Sequence, residues 1–253
     1  MNKKILYKST LLLLIVGFLI SSCKKDDNND DPTPVNEVQL NFAFSHRVGS
    51  SAVSYDVIAY QNEAGNNYSV VTLKYFISDI RLNKADGCSV LIDEEHYVDG
   101  TDLTTTVFTP STKVPEGNYS SISFVFGLNE EKNITGAYPN PPESNMEWPV
   151  PMGGGYHYMK LEGKLDSAGT IKNFQAHTGA TMGTPYYIEV ELPSSAFTAA
   201  DGKIITIGMD INKWWSNPNT LDLNNVSSIM GNPDMQQKLH DNGADVFYLE
   251  SIE

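Results

Sequence analysis

Apolar and polar residues alternate with a period of two in several short segments of this chain. Residues 38–44, 119–126 and 156–161 show the alternation most clearly. Successive side chains of a strand point to opposite faces, so this pattern predicts strands with one face in a core. The longest apolar segment, residues 68–82, is rich in β-branched and aromatic residues. That composition favours strand over helix, and its length allows two strands joined at a bend.

Further predicted strands account for most of the remaining chain. They lie at residues 55–60, 90–92, 171–177, 186–192 and 203–210. Turns rich in glycine, proline and asparagine separate them, and residues 232–240 predict a short helix. About nine or ten strands without alternating helices predict an all-β fold, an antiparallel β-sandwich with long loops and a short C-terminal helix. We assign this domain to residues 37–253, with a last apolar segment at residues 246–249.

The first residues predict an export signal rather than part of the fold. Three lysines precede an apolar run at residues 11–20 that is too short to span a bilayer as a stable helix. Small residues then lead to Cys23, as in a bacterial lipoprotein signal; an ordinary signal peptide with an incidental cysteine is the alternative. We expect residues 1–22 to be removed, Cys23 to be lipidated and residues 23–36 to form a disordered tether. The predicted location is the outer membrane, facing the periplasm or the cell surface.

The charge balance excludes one class of partner. The chain has 17 basic and 31 acidic residues, a formal net charge of −14. Nucleic-acid binding needs a basic surface, so we exclude nucleic acid, whereas an acidic surface attracts metal cations without specifying one. The two cysteines are Cys23 and Cys88. If a lipid takes Cys23, no intramolecular disulfide forms, and we expect Cys88 to be a buried structural thiol in preference to a metal ligand.

Residues 145–163 contain the densest group of candidate functional side chains. The segment holds Met146, Met152, Trp148 and His157 around a run of three glycines, and His177 follows about one strand later. Thioether sulfur and imidazole nitrogen are ligands that suit copper. Packing in a surface hairpin explains the same composition, and from spacing alone the two interpretations have equal weight.

Known catalytic motifs are missing from the sequence. It contains no phosphate loop, zinc-protease helix, Cys-x-x-Cys pair or nucleophile elbow, and Glu162 has no identifiable partner for glycoside hydrolysis. We therefore expect a protein that is not an enzyme. The alternative to copper binding is a surface lipoprotein that binds glycan or protein through aromatic loops. Trp148, Trp214 and Trp215 would then stack on sugar rings, although core packing explains the Trp214–Trp215 pair as well.

Six segments of the chain carry a family likeness: LKYFISDIRL (73–82), GNY (117–119), ISFVFGL (122–128), MEW (146–148), GYHYMKLEG (155–163) and FQAHTG (174–179). Together they resemble the MbnP family of exported β-sandwich proteins, which was first defined beside methanobactin operons. The chain departs from the family pattern at Val150, where many members have a second tryptophan, and after Leu128, where many have a histidine. The likeness spans most of residues 40–249.

The resemblance implies copper binding and a partner enzyme. Family members are often encoded beside a MauG-like dihaem peroxidase, which oxidises a tryptophan to kynurenine at the copper site. By the matching motifs, Trp148 corresponds to the family's oxidised tryptophan and His177 to the histidine of its copper site. His46, at the end of the first strand, is a weaker match. His157 and Met146 are added as neighbouring candidates from their position in the sequence. The resulting expectation is a lipid-anchored copper-binding or copper-handling protein.

Overall fold

The computed structural model describes residues 35–226 and 229–253. The predicted signal peptide, the lipidation site Cys23 and the tether up to residue 34 lie outside this range. Within it, the strands in chain order are β1 (Glu37–Val38), β2 (Asn41–Val48), β3 (Ser51–Ala52), β4 (Tyr60–Gln61), β5 (Asn67–Tyr68), β6 (Thr72–Asn83), β7 (Ser89–Asp99), β8 (Val107–Phe108), β9 (Val114–Pro115), β10 (Gly117–Tyr119), β11 (Ser121–Phe126), β12 (His157–Ser167), β13 (Thr170–Gly179), β14 (Ile188–Glu191), β15 (Phe197–Ala199), β16 (Ile204–Asp210) and β17 (Phe247–Ile252).

Helical structure is confined to short segments in the described residues. The α-helix, α1, spans Pro233–Asn242, which confirms the predicted C-terminal helix. Its first residue is proline and the side chain of Asn232 accepts a hydrogen bond from the amide of Met235, so both expected start signals are used. Short 3-10 helices lie at Glu143–Met146, Val150–Met152, Ile211–Trp215, Leu223–Asn225 and Gly243–Asp245.

Eight strands form the larger sheet. Its order is β14-β11-β6-β12-β5-β4, with β7 paired to β6 and β13 paired to β12. The long strands β6 and β12 lie at its centre and pair antiparallel, with Tyr75 opposite Met159 and Lys74 opposite Lys160. Strand β13 lines β12 along its length, placing His177 opposite Lys160. The candidate segment, residues 145–163, therefore leads into one of the most extensively paired strands.

The smaller sheet has five strands and completes the sandwich. Its order is β17-β16-β2-β3, with β8 paired to β2. Strands β2 and β16 run parallel, with His46 opposite Met209, while the other pairs of this sheet are antiparallel. The ribbons β1-β9 and β10-β15 complete the strand pairing among the described residues. The predicted antiparallel β-sandwich is confirmed, with this one parallel pair as an addition.

The main core lies between the two sheets and is rich in aromatic rings. Phe44 of β2 meets Tyr75 of β6 edge to face, with ring centroids 6.4 Å apart. Tyr75 in turn packs on Phe126, which contacts Trp214 at 5.2 Å. Trp214 and Trp215 are both fully buried. Burial of large aromatic surfaces supplies much of the free energy that holds such sheets together.

A second apolar cluster covers part of the outer face of the larger sheet. Residues 129–152 lie over this face, where Tyr138 stacks on Phe76 at 5.9 Å and its amide donates to the hydroxyl of Tyr156. The long loop therefore packs on the sheet and connects directly to β12. The buried members of the cluster are Phe76, Tyr97, Leu128, Met146, Tyr156, Tyr158 and Tyr186.

Some predicted strand boundaries are wrong. The strand predicted at residues 55–60 is found only at its two ends, where Tyr55 forms an isolated bridge to Val70 and Tyr60 begins β4. Val57 and Ile58 between them are exposed and find no core to cover. Strand β7 spans Ser89–Asp99, so the strand predicted at residues 90–92 is too short. The predicted bend in residues 68–82 is present: Asp79 has a φ of 52°, and the register shifts beside it.

Two further features concern the helices and Cys88. None of the helices in residues 35–226 and 229–253 is long and apolar enough to cross a membrane. Cys88, just before β7, is half-buried and disulfide-bonded. The prediction of a free, buried thiol at Cys88 is therefore wrong.

Candidate metal centre

The segment before β12 folds back as a tight loop that places Trp148 against the sheet. The amide of Trp148 donates to the carbonyl oxygen of Gly155 at 2.8 Å. Glycines 153, 154 and 155 have φ values of 138°, 71° and 81°, in the left-handed region that side chains disfavour. At Gly155 a Cβ atom would also lie 2.3 Å from Oδ1 of Asn133, which accepts from the amide of Tyr156. The glycine run therefore allows the bend, as its sequence indicates.

His157, the first residue of β12, is buried in its neutral form. Its Nδ1 lies 2.9 Å from the carbonyl oxygen of Met146. A carbonyl only accepts, so Nδ1 carries the proton and Nε2 keeps its lone pair. Burial lowers the pKa of His157 to about 3, and the charge of Lys160 acts in the same direction. His157 thus presents one free imidazole nitrogen at neutral pH.

His177, near the end of β13, has the complementary arrangement. Its Nε2 lies 2.7 Å from a carboxylate oxygen of Glu162, and its Nδ1 lies 3.3 Å from Sδ of Met230. The carboxylate accepts a hydrogen bond from Nε2–H, which leaves the Nδ1 lone pair directed at the thioether. Burial lowers the pKa of His177, and the opposing effect of Glu162 is smaller. The ring is therefore neutral at pH 7, so its contact with Glu162 is a hydrogen bond rather than an ion pair.

Three aromatic side chains meet at this point. The ring centroids of Trp148 and His157 lie 4.7 Å apart at an interplanar angle of 74°, and those of His157 and His177 lie 5.0 Å apart at 83°. Gly179 allows this contact, because a Cβ there would lie 2.7 Å from Cε3 of Trp148. The indole is buried, and its Nε1 has no hydrogen-bond partner. These three side chains, Trp148, His157 and His177, form a compact group that is here called the Trp–His cluster.

Helix α1 supports the cluster from behind β13. The buried side chain of Gln236 donates to the carbonyl oxygens of His177 and Ile229 at 2.9 and 3.2 Å. Its Oε1 accepts from the amide of Gly179 at 3.3 Å. A single glutamine therefore fixes the backbone that directly follows the His177 side chain, from the carbonyl of His177 to the amide of Gly179.

The structure does not bring His46 into the Trp–His cluster. Nε2 of His46 lies 2.9 Å from the hydroxyl of Tyr75, whose ring points into the core between the sheets. His177 lies opposite Lys160, and Lys160 opposite Lys74, the residue before Tyr75. Because neighbouring side chains of a strand point to opposite faces, His46 and His177 lie on opposite faces of the larger sheet.

Met146 belongs to the site in a different way from the prediction. Its carbonyl oxygen holds His157, but its side chain is buried in the outer aromatic cluster. Sequence reasoning did not identify Met230 as a neighbour of His177, which it contacts across 53 positions of the chain. It also gave Glu162 no role here, although the alternation in β12 places Glu162 on the same face as Lys160. No local pattern marks Met230, because it lies outside the strands and helices.

The donor atoms suit a soft metal ion. Among the described residues, no group of three or more His, Cys, Asp or Glu side chains is arranged to hold a metal. The Trp–His cluster offers instead two neutral imidazole nitrogens beside a thioether, and such donors suit copper, above all copper(I). The outer hydrogen bonds to Met146 and Glu162 orient the rings as second-layer contacts do in known metal sites. The residues present therefore fit copper.

The tryptophans do not provide the aromatic platforms that glycan binding requires. Trp148 has an exposed fraction of 1%, and Trp214 and Trp215 have 0%. A sugar ring stacks on an accessible face, which none of these three indoles offers. The core-packing interpretation of Trp214 and Trp215 is confirmed.

Comparison with known proteins places the chain in a family. The profile of the MbnP family matches residues 37–231. Among solved structures, MbnP from Methylosinus trichosporium has the same fold with a TM-score of 0.59 and 13% sequence identity, covering 86% of this chain and 99% of that one. None of the curated proteins gives a significant match. Because the family profile covers more than half of the chain, this protein belongs to the MbnP family, which is associated with copper handling.

Proposed function

We propose that this protein binds and handles copper at the Trp–His cluster. The observation that carries the proposal is the arrangement of two buried, neutral histidines whose ring centroids lie 5.0 Å apart. Each has one ring nitrogen engaged by an acceptor, so each keeps one nitrogen for a metal. Membership of the MbnP family supports a copper-associated role in general.

The residues around these histidines have binding and positioning roles. His157 and His177 would hold the ion, Met146 and Glu162 fix the two rings, and Trp148 shields them from water. Copper held in this way is available for storage or delivery. We assign the cluster a binding role and no catalytic step. In this proposal the protein acts as a copper carrier.

Copper titration of a histidine variant tests the proposal. We expect one copper per wild-type chain and a loss of high-affinity binding in His177→Ala. His240→Ala is the matched control, because His240 lies on α1, where it contacts Gln237 and Asp241. Undiminished binding in His177→Ala, or equal losses in both variants, contradicts the assignment.

We propose further that Trp148 is the site of oxidation by a partner dihaem peroxidase of the MauG-like type. Trp148 is the tryptophan in contact with a cluster histidine, and its Nε1 is free of hydrogen bonds. With hydrogen peroxide as the oxidant, the peroxidase would cleave the Cγ–Cδ1 bond of the indole. Hydrolysis would then release Cδ1 as formate and leave a ketone and an aromatic amine beside His157. Peptide mass analysis of protein from its own host tests this. Unmodified Trp148 in copper-loaded protein contradicts it, whatever the state of Trp214 and Trp215.

The membrane is the remaining proposed partner, through a lipid on Cys23 that anchors the protein at the outer membrane, facing the periplasm or the cell surface. The supporting observation is the signal-like sequence before Cys23. A thioether-linked lipid and a disulfide to Cys88 are mutually exclusive uses of this thiol, because the chain has two cysteines. Mass analysis of the N-terminal peptide separates the two chemistries. Acyl chains on Cys23 support the anchor, and a peptide joining Cys23 to Cys88 contradicts it.

A further inference from the structure

Met230 makes a contact that ordinary packing does not explain. Its Sδ lies 3.3 Å from Nδ1 of His177, while Nε2 of the same ring lies 2.7 Å from the carboxylate of Glu162. A carboxylate accepts hydrogen bonds and donates none, so the single ring proton of neutral His177 belongs on Nε2. Nδ1 and the thioether sulfur then face each other with a lone pair on each and no proton between them.

Two such donors are suited to share a cation. Metal–nitrogen and metal–sulfur bonds of about 2.0 and 2.3 Å place two ligands of one tetrahedral ion about 3.5 Å apart. The separation of 3.3 Å between Nδ1 of His177 and Sδ of Met230 is close to this value. Thioethers are soft ligands that bind copper(I) and have little affinity for hard cations.

We propose that Met230 is a thioether ligand of the copper site and makes it selective for copper(I) over zinc(II). This inference rests on the proposed copper function and adds a third donor to His157 and His177. The 53 positions between His177 and Met230 mean that the ion would join β13 to the segment before α1.

A second methionine, Met152, lies near Met230 and is the alternative thioether ligand. Sδ of Met152 would lie 3.8 Å from a Cβ added at Gly231, the residue after Met230. Its sulfur has no contact with either cluster histidine among the described hydrogen bonds, whereas Met230 reaches His177 directly. Met182 is a third methionine of the region, with an exposed fraction of 72%. These two residues provide the comparison variants.

Copper K-edge X-ray absorption of the full chain loaded with copper(I) tests the proposal, together with competition against a chromophoric copper(I) chelator. Wild-type protein and Met182→Leu are expected to show one copper–sulfur distance and the same affinity. Met230→Leu conserves volume and should remain folded, but it should lose that distance and bind copper(I) at least about tenfold more weakly. Zinc(II) affinity should change much less, because imidazole supplies most of it.

The possible failures are distinguishable. If Met230→Leu keeps the copper–sulfur distance and Met152→Leu loses it, Met152 is the ligand and the assignment of Met230 is overturned. If wild-type protein binds one copper through nitrogen alone, the assignment also fails while the proposed function stands. If wild-type protein binds no copper, the proposed function fails, and this inference fails with it.

Discussion

At the scale of single residues, the site depends on where two protons reside. The carbonyl oxygen of Met146 accepts a hydrogen bond from Nδ1 of His157 at 2.9 Å, and the carboxylate of Glu162 accepts one from Nε2 of His177 at 2.7 Å. Burial lowers the pKa of both His157 and His177, so neither ring carries a charge at neutral pH. Both second nitrogens are therefore ready to bind a metal without first losing a proton.

Glu162 should act as a positioning residue for His177. Glu162→Leu removes the acceptor that holds the Nε2 proton, and we expect copper binding to weaken about 10–100-fold. Glu162→Gln keeps an acceptor oxygen and should recover most of the affinity. Competition with a copper chelator measures both, and Glu189→Gln on β14 is the control. Equal affinity of wild type and Glu162→Leu would refute the positioning role.

The sequence identified part of this residue set. Trp148, His157 and His177 follow from motif and spacing, because all three lie in or beside predicted strands. Met230 could not be found, since its contact with His177 depends on how the segment before α1 folds back on β13. The prediction of His46 rested on a strand end, and a strand end does not reveal which face of the sandwich the side chain occupies.

At the scale of elements, α1 and β13 act as one unit. Gln236 bridges them, donating to the carbonyl of His177 and accepting from the amide of Gly179. An α-helix of this length is marginal by itself, so its packing against β13 is what keeps it folded. The same contact fixes the backbone that carries a candidate metal ligand.

Replacing Gln236 should therefore affect stability and copper binding together. Gln236→Leu leaves buried backbone groups without partners, at a cost of about 1–3 kcal/mol each in the free energy of unfolding. Urea denaturation and chelator competition measure the two effects. Gln237→Leu is the matched control on the same helix, because Gln237 is exposed and bonds only to Asp241 and His240. Similar stability of both variants contradicts the bridging role.

Element types were predictable where the apolar pattern was long. The strand segments at residues 68–82 and 171–177 and the helix near 232–240 were all predicted, because each pairs or packs along most of its length. The strand predicted at residues 55–60 is largely absent, because a short apolar run forms a strand only where a neighbouring strand can pair with it. The parallel pairing of β2 with β16 joins segments about 160 positions apart and has no local signal.

At the scale of the whole molecule, the larger sheet separates two polar regions. The outer face carries the Trp–His cluster, whereas His46 of the smaller sheet meets Tyr75 at the inner face and lies near Asp99. Burial lowers the pKa of His46 to about 4, although the charge of Asp99 acts in the opposite direction. His46 therefore affects the stability of the sandwich rather than the metal centre.

Stability should fall in mild acid because of this buried histidine. An unfolded chain binds a proton at His46 below about pH 6.5, whereas the folded chain does so only near pH 4. Between these values the free energy of unfolding should fall by about 1.4 kcal/mol per pH unit from this group, and above pH 6.5 the group has no such effect. His46→Gln removes this contribution.

Urea denaturation at pH 7.5 and pH 5.0 measures the effect. Between these two values wild-type protein should lose about 2 kcal/mol more than His46→Gln. His240→Gln is the control and should behave as wild type. Equal losses in wild type and His46→Gln would show that His46 is not held neutral by burial.

The central claim is that copper binds at the Trp–His cluster. Anomalous scattering at the copper edge from crystals of the copper-loaded protein tests it most directly. The account predicts a single strong peak bonded to Nε2 of His157 and Nδ1 of His177. A peak at His46 or His96, or copper distributed over surface carboxylates with none at the cluster, would contradict it.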